Sequence, residues 1–300
     1  MERVTSKYAD WTRGQVEALI NIIGEETAKG LLAGDVLAEF KEVVKKFFDK
    51  HGQRIPEGLQ ANVCDANRSF RLDQPKLDME TDFANRILRL HGCLSIDTEV
   101  TAEQLMAETE RLLAIIMENP QIANITNGIC LPVVLPKLVT DDLGAELEMY
   151  LAGVNNSYKK AFSDRSFNNY RKGDLSDKVS FVDGSRHDQL IERMKEGLVI
   201  GLHFPNPLQG FSINADREQM STLPEGFILS GMDTLITMVM YPDILARDYN
   251  TPGLDLAALQ WQSADDSLFF RANDGTLVFG VAGDLAYADG HFSGGLLFLG

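Results

Sequence analysis

Residues 198–204 read Leu-Val-Ile-Gly-Leu-His-Phe, apolar throughout except for Gly201 and His203. A surface strand alternates apolar and polar residues. A run like this one is buried on both faces. The chain must therefore supply a layer on each side of that strand, and this is what most constrains the fold. The sequence before it reads as a short strand at 179–182, a turn at Asp183-Gly184 and a helix ending at Gly197. About 13 residues separate the two strands, the length of one helical crossover, which predicts a right-handed parallel unit. A third strand at 227–229 and a helix broken near Pro242 follow.

After Pro242 the pattern changes. Residues 267–271 and 276–279 flank Asn273-Asp274-Gly275, a hairpin signal. A fourth strand is expected within 256–261, and residues 296–299 read as a closing strand. The expected class is α/β, with a short mixed sheet in the C-terminal half. That sheet is expected to be parallel in its middle, antiparallel at its end and flanked by helices.

The N-terminal half reads as mainly helical. Thr12 and Gln15 form a capping box, with Trp11 and Val16 as a hydrophobic staple. Val16, Leu19, Ile20 and Ile23 make one stripe, and Gly24 stops the helix. A second helix ends at Gly34. A third is expected from Asp35, with Val36, Phe40, Val43, Val44, Phe47 and Phe48 on one face. Helices also follow at 81–90 and from Thr101, where Gln104 completes another capping box. Pro132 and Pro136 keep residues 128–138 out of any central strand, so an extended edge segment is expected. Thr140 is expected to cap a long helix whose last turn holds Lys159 and Lys160. Three regions result: a helical subdomain at 1–52, a mainly helical region at 53–177 and an α/β core at 178–300.

Charge narrows the partners. The net charge is −16, with 44 acidic and 28 basic residues. Residues 1–50 carry eight Lys and Arg against nine Asp and Glu, leaving 20 against 35 for the rest. A chain this acidic is a poor ligand for a phosphate backbone, so no nucleic-acid partner is expected. The Gly24 turn would suit a helix-turn-helix, but near-neutral charge and the Glu25-Glu26 pair weigh against DNA. No apolar run reaches the 18 residues of a membrane span, and residues 1–10 do not read as a signal peptide. Three scattered cysteines without a C-x-x-C pattern fit a reducing, cytoplasmic setting. The near-neutral N-terminal helices are the expected surface for a protein partner.

The run DWTRGQVEALINIIGEETAKGLLAGD at 10–35 resembles a segment near the start of many uncharacterised bacterial proteins, particularly from candidate phyla. The run at 210–261, including GFSINADREQMSTLPEGFILSGMDT and YPDILARDYNTPG, is similar to the same hypothetical proteins. The resemblance covers about a quarter of the chain. It implies a bacterial cytoplasmic setting and carries no activity, cofactor or site residue with it.

In a parallel sheet the carboxyl ends of the strands share a rim where ligands bind. That rim would gather Asp183, His187, His203, Ser230 and Asp233. A serine, two histidines and aspartates make a hydrolytic set conceivable. The G-x-S-x-G elbow is missing, and Ser230 with Asp233 also reads as a cap and first turn. The sequence L-S-G-M-D-T is one glycine short of a pyrophosphatase loop. The turn Gly184-Ser185-Arg186 could hold an anion on a helix N-terminus, or Ser185 could be a simple N-cap. Histidines serving only as satisfied core groups are the alternative to metal ligands, and D-x-D-x-D-G calcium spacing is absent. No cofactor is named by these residues. Two readings stand: a protein-binding module acting through the N-terminal helices, and a small-molecule enzyme, hydrolytic in type, at the rim.

Overall fold

The computed structural model describes residues 12–36, 44–96 and 99–300. Residues 1–44 and 45–300 form two compact units.

The first unit holds α1 (Arg13–Ile23) and α2 (Glu25–Ala33). The capping box forms as expected: the Gln15 amide donates to Thr12 Oγ1, and the Thr12 amide donates to Gln15 Oε1. Gly34 closes α2 in the left-handed conformation, at φ 81°. Neither helix has a buried residue. Trp11, Phe40 and Val43 lie outside the described residues.

The second unit begins differently from expectation. Residues 45 and 46 are irregular, and Phe48 forms an isolated bridge with Arg54 instead of extending a helix. The reason is burial. Phe48 has no solvent exposure and packs on Phe227, with ring centroids 5.9 Å apart.

The helices of this unit are α3 (Glu80–Leu94), α4 (Ala102–Glu118), α5 (Leu143–Ala161), α6 (His187–Glu196), α7 (Ile213–Gln219), α8 (Met232–Met240) and α9 (Pro242–Leu245). The strands are β1 (Leu131–Leu135), β2 (Ser166–Asn169), β3 (Val179–Phe181), β4 (Val199–Gln209), β5 (Phe227–Leu229), β6 (Gly253–Asp255), β7 (Leu259–Trp261), β8 (Ser267–Asn273), β9 (Thr276–Ala282) and β10 (Phe292–Phe298). Eight strands form one mixed sheet, in the order β1-β4-β10-β6-β8-β9-β2 with β5 also on β10. The class is α/β. Strands β1 and β2 come from the region expected to be helical, so that region and the C-terminal core share one sheet.

The α5 cap moves from the expected Thr140 to Asp142, whose carboxylate accepts from the Gly144 amide. The Asn273-Asp274-Gly275 hairpin is present, with Asn273 opposite Thr276 and Gly275 at φ 72°. Strand β1 carries Pro132 and lies at the sheet edge, where a missing donor is tolerated.

The parallel unit does not form. Strand β3 pairs with β7 in a separate two-stranded sheet, Val179 opposite Trp261. Strand β4 is antiparallel to both its neighbours, β1 and β10. The parallel pairs are β6 with β10 and β2 with β9. A run buried on both faces records two covering layers, and it is silent about the direction of the neighbouring strands. Strand β4 runs on past Phe204 through Pro205 and Pro207 to Gln209. The prolines fit because the β4–β10 register shifts between Gly294 and Leu296, opposite them.

Strand alternation sorts the core. Leu202 and Phe204 of β4, Phe227 and Leu229 of β5, and Leu296 and Phe298 of β10 join one cluster with Phe48 and Leu112. Leu297 and Ile228 join the other, with Leu147, Tyr150, Leu235 and Met238 of α5 and α8. His203 lies between Leu202 and Phe204, so its side chain faces α8.

Candidate functional site

His203 meets α8 at its first turn. Its Nδ1 lies 2.8 Å from Asp233 Oδ2, and both side chains are fully buried. The other carboxylate oxygen, Asp233 Oδ1, accepts from the Gly231 amide at 2.6 Å. Burial alone would push the Asp233 carboxyl up. The His203 hydrogen bond, the two neighbouring imidazoles and the Gly231 amide outweigh it and hold the group below its ordinary value. An ionised Asp233 can only accept, so His203 carries its proton on Nδ1. Its Nε2 is buried and has no partner.

Ser230 lies at the same place but on the wrong atom. Its Oγ is 3.4 Å from His203 Nδ1, the nitrogen that Asp233 already uses. A serine nucleophile needs the opposite nitrogen as its base. The Ser230 amide donates to Gly295 O at 3.0 Å. A Cβ on Gly295 would lie 2.9 Å from Ser230 Oγ and 3.2 Å from His203 Cε1. Glycine is thus what lets the strand pass this cluster.

His187 is satisfied on both nitrogens. Its Nε2 accepts from the Met232 amide at 3.3 Å, which leaves Nδ1 to donate to Leu229 O, also at 3.3 Å. Burial lowers its pKa, so it is a neutral clasp between β5 and α8. Asp183 is exposed in the turn before α6. The structure therefore gathers His203, Ser230 and Asp233 in one cluster, puts His187 on the neighbouring turn and leaves Asp183 outside.

The anion turn is spent internally. Arg186 is the α6 N-cap, at φ 62°, and its guanidinium donates to the carbonyls of Met220, Leu223, Pro224 and Phe227. Ser185 Oγ donates to Val182 O and accepts from the His187 amide. Gly184 is exposed, in the left-handed region at φ 79°.

A second buried polar group carries no flag in the sequence. Asp216, in the first turn of α7, is fully buried, and neither carboxylate oxygen has a partner. Burial raises its pKa well above the ordinary value, and the Asp255 carboxyl adds to this. Asp255 ends β6 at 6% exposure and is pushed up to about 8, by burial first and then by Asp289. Both act as neutral acids at low and middle pH. The nearest thing to a sequence signal is Gly294-Gly295 inside a strand, since glycine there often marks a close approach. A Cβ on Gly294 would lie 2.2 Å from Asp216 Oδ2.

Five surface clefts have volumes of about 490 to 710 Å³, and none is lined by Asp183, His187, His203, Ser230 or Asp233. Among the described residues no group of three or more His, Cys, Asp or Glu is placed to hold a metal. No helix among them is long and apolar enough to cross a membrane. The His203 cluster can orient protons and rigidify the β4–α8 packing. Its buried nitrogen has no cleft leading to it among those five.

The fold and these clusters define an α/β protein with a mixed eight-stranded sheet and a buried polar centre. Comparisons with protein-family models, with curated proteins and with solved structures give no match to this chain.

Proposed function

We propose that this chain is an interaction protein that docks through its N-terminal helices, and that the surface they dock on is the same stripe of a second copy. The observation that carries this reading is the exposure of apolar side chains on α1 and α2. Ile22 is 80% exposed and Leu32 91%, with Val16, Leu19 and Val36 also open to solvent. Helices of 11 and 9 residues are shorter than the roughly 12–15 residues an isolated helix needs to be even marginally stable in water. Covering one Ile or Leu contributes about 1.5–3 kcal/mol. A partner surface therefore supplies what the helices lack by themselves.

Charge favours a second copy. Residues 51–300 carry 20 basic against 35 acidic residues, so two bodies repel each other. Residues 1–50 carry eight basic against nine acidic residues, so two copies meet there without that penalty. The pairs Arg13–Glu17 and Lys29–Glu25 keep the helix surfaces balanced.

Sedimentation equilibrium of the full chain tests the reading. The parent is expected to show a concentration-dependent mass above the monomer. Ile22→Asp with Leu32→Asp is expected to return it to a monomer with an unchanged unfolding midpoint for the body. A parent that stays monomeric while the amides of residues 12–36 resist hydrogen exchange would refute it, because the helices would then be stable uncovered.

A further inference from the structure

The second unit half-buries several arginines, and nearly all of them are spent within the protein. Arg186 donates to four carbonyls, and Arg217 to those of Ala257, Leu259 and Ala264. Arg54 donates to Phe47 O, Ile55 O, Gln219 and Thr222. Arg86 holds Asp243 through both oxygens, at 2.6 and 2.9 Å, and lies over the Tyr241 ring.

Arg89 is not spent in this way. It sits on α3 one turn beyond Arg86, half-buried. Its Nη1 is buried and unpartnered, and no hydrogen bond or ion pair of Arg89 occurs among the described residues. A desolvated guanidinium nitrogen without an acceptor costs the fold free energy.

Arg89 lines a cleft of about 490 Å³ with Lys76, Arg86, Lys160, Asp82 and Asp243. Four cations against two carboxylates make this cleft positive on a protein of net charge −16. The acids are already engaged. Asp243 is held by Arg86, and Asp82 accepts from the Met79 and Asp78 amides as the α3 capping box. Lys160 donates to Gly92 O at 2.7 Å and keeps its charge and further donors. Lys76 pairs only at the surface with Asp78, at 3.2 Å. Arg89 and Lys160 are left as a fork and a point charge beside one space.

We propose that this cleft binds a small molecule carrying a phosphate group, with Arg89 as the bidentate donor and Lys160 as the second cation. A guanidinium fork matches two oxygens of a phosphate, and an ammonium meets the third as a point charge. The volume suits a metabolite-sized ligand and excludes a folded partner. The proposal is independent of the role given to the N-terminal helices.

Calorimetric titration of the full chain with inorganic phosphate at low ionic strength is the test, with sodium chloride at matched ionic strength as the control. The parent is expected to bind one phosphate saturably. Arg89→Gln is expected to weaken binding about 10- to 100-fold, the loss for one charged hydrogen-bonding group. Arg89→Lys is expected to fall between them, because it keeps the charge and loses the fork. Arg89 has no internal partner to lose, so neither variant is expected to lower the parent urea midpoint. No saturable binding by the parent, equal binding by Arg89→Gln, or an equal response to chloride would each overturn the proposal.

Discussion

Substituting Asp255 by Asn is expected to stabilise this protein at neutral pH and to leave it unchanged in acid. Asp255 is 6% exposed and its carboxyl is pushed up to about 8, from an ordinary value of 3.8. The folded chain therefore holds a proton there that the unfolded chain has released. Between pH 3.8 and about 8 the native state binds more protons, so stability falls as pH rises through that window. Each pH unit across it costs about 1.4 kcal/mol, so the loss from this one carboxyl reaches about 4 kcal/mol at pH 7. Asp216 titrates in the same direction, for the same reason. His187, buried and lowered, works the other way below its ordinary value of 6.5. The difference between parent and variant cancels that contribution.

The assay is urea unfolding followed by Trp261 fluorescence at several pH values from 4 to 8. The Asp255→Asn curve is expected to coincide with the parent near pH 4 and to separate steadily above it, the variant being the more stable. Asp216→Asn is expected to separate in the same sense. Parallel curves across the range would mean that Asp255 ionises freely in the fold, and the reasoning from its burial would fail.

Three further outcomes follow from the same contacts. Asp233→Ala is expected to cost about 3–5 kcal/mol in urea unfolding, because it removes the buried partner of His203. Arg186→Ala is expected to lower stability by at least about 3 kcal/mol in thermal unfolding, because four carbonyls lose their donor. Gly294→Ala is expected to cost about 2–3 kcal/mol by overpacking against Asp216 Oδ2, and Asp216→Ala in the same chain is expected to recover part of it on the same urea curve.

What the residues disclosed was local. Thr12 with Gln15 and Thr101 with Gln104 each form a capping box within four residues, and both boxes are present. The Asn273-Asp274-Gly275 turn fixes its own hairpin. Strand direction was a different matter. The 13-residue spacing of β3 and β4 suited a crossover, but each strand found a distant partner: β7 for β3, and β10 for β4. Those choices depend on residues 259–261 and 292–298, some 80 or more positions away, which no local pattern encodes. Phe48 shows the same limit. Its helical spacing was sound, and burial against Phe227 outweighed it.

The candidate site was half legible for a related reason. His203, Ser230 and Asp233 do meet, although the parallel rim that was to gather them does not exist. Each sits at the end or in the middle of an apolar element, and such elements bring their few polar residues to a common interior. Asp216 and Asp255 were invisible, because an aspartate in a helix's first turn or at a strand end normally reads as a cap or a turn. The sign of both clusters was Gly294-Gly295, two glycines in a central strand that should contain none. Gly294 lies against the Asp216 carboxylate, and Gly295 against Ser230 and His203. Read physically, that dipeptide says that two polar groups press on one strand from its two faces, and it is silent about which. The identity of those groups is set by α7 and by the β5–α8 turn, and folding alone brings them there.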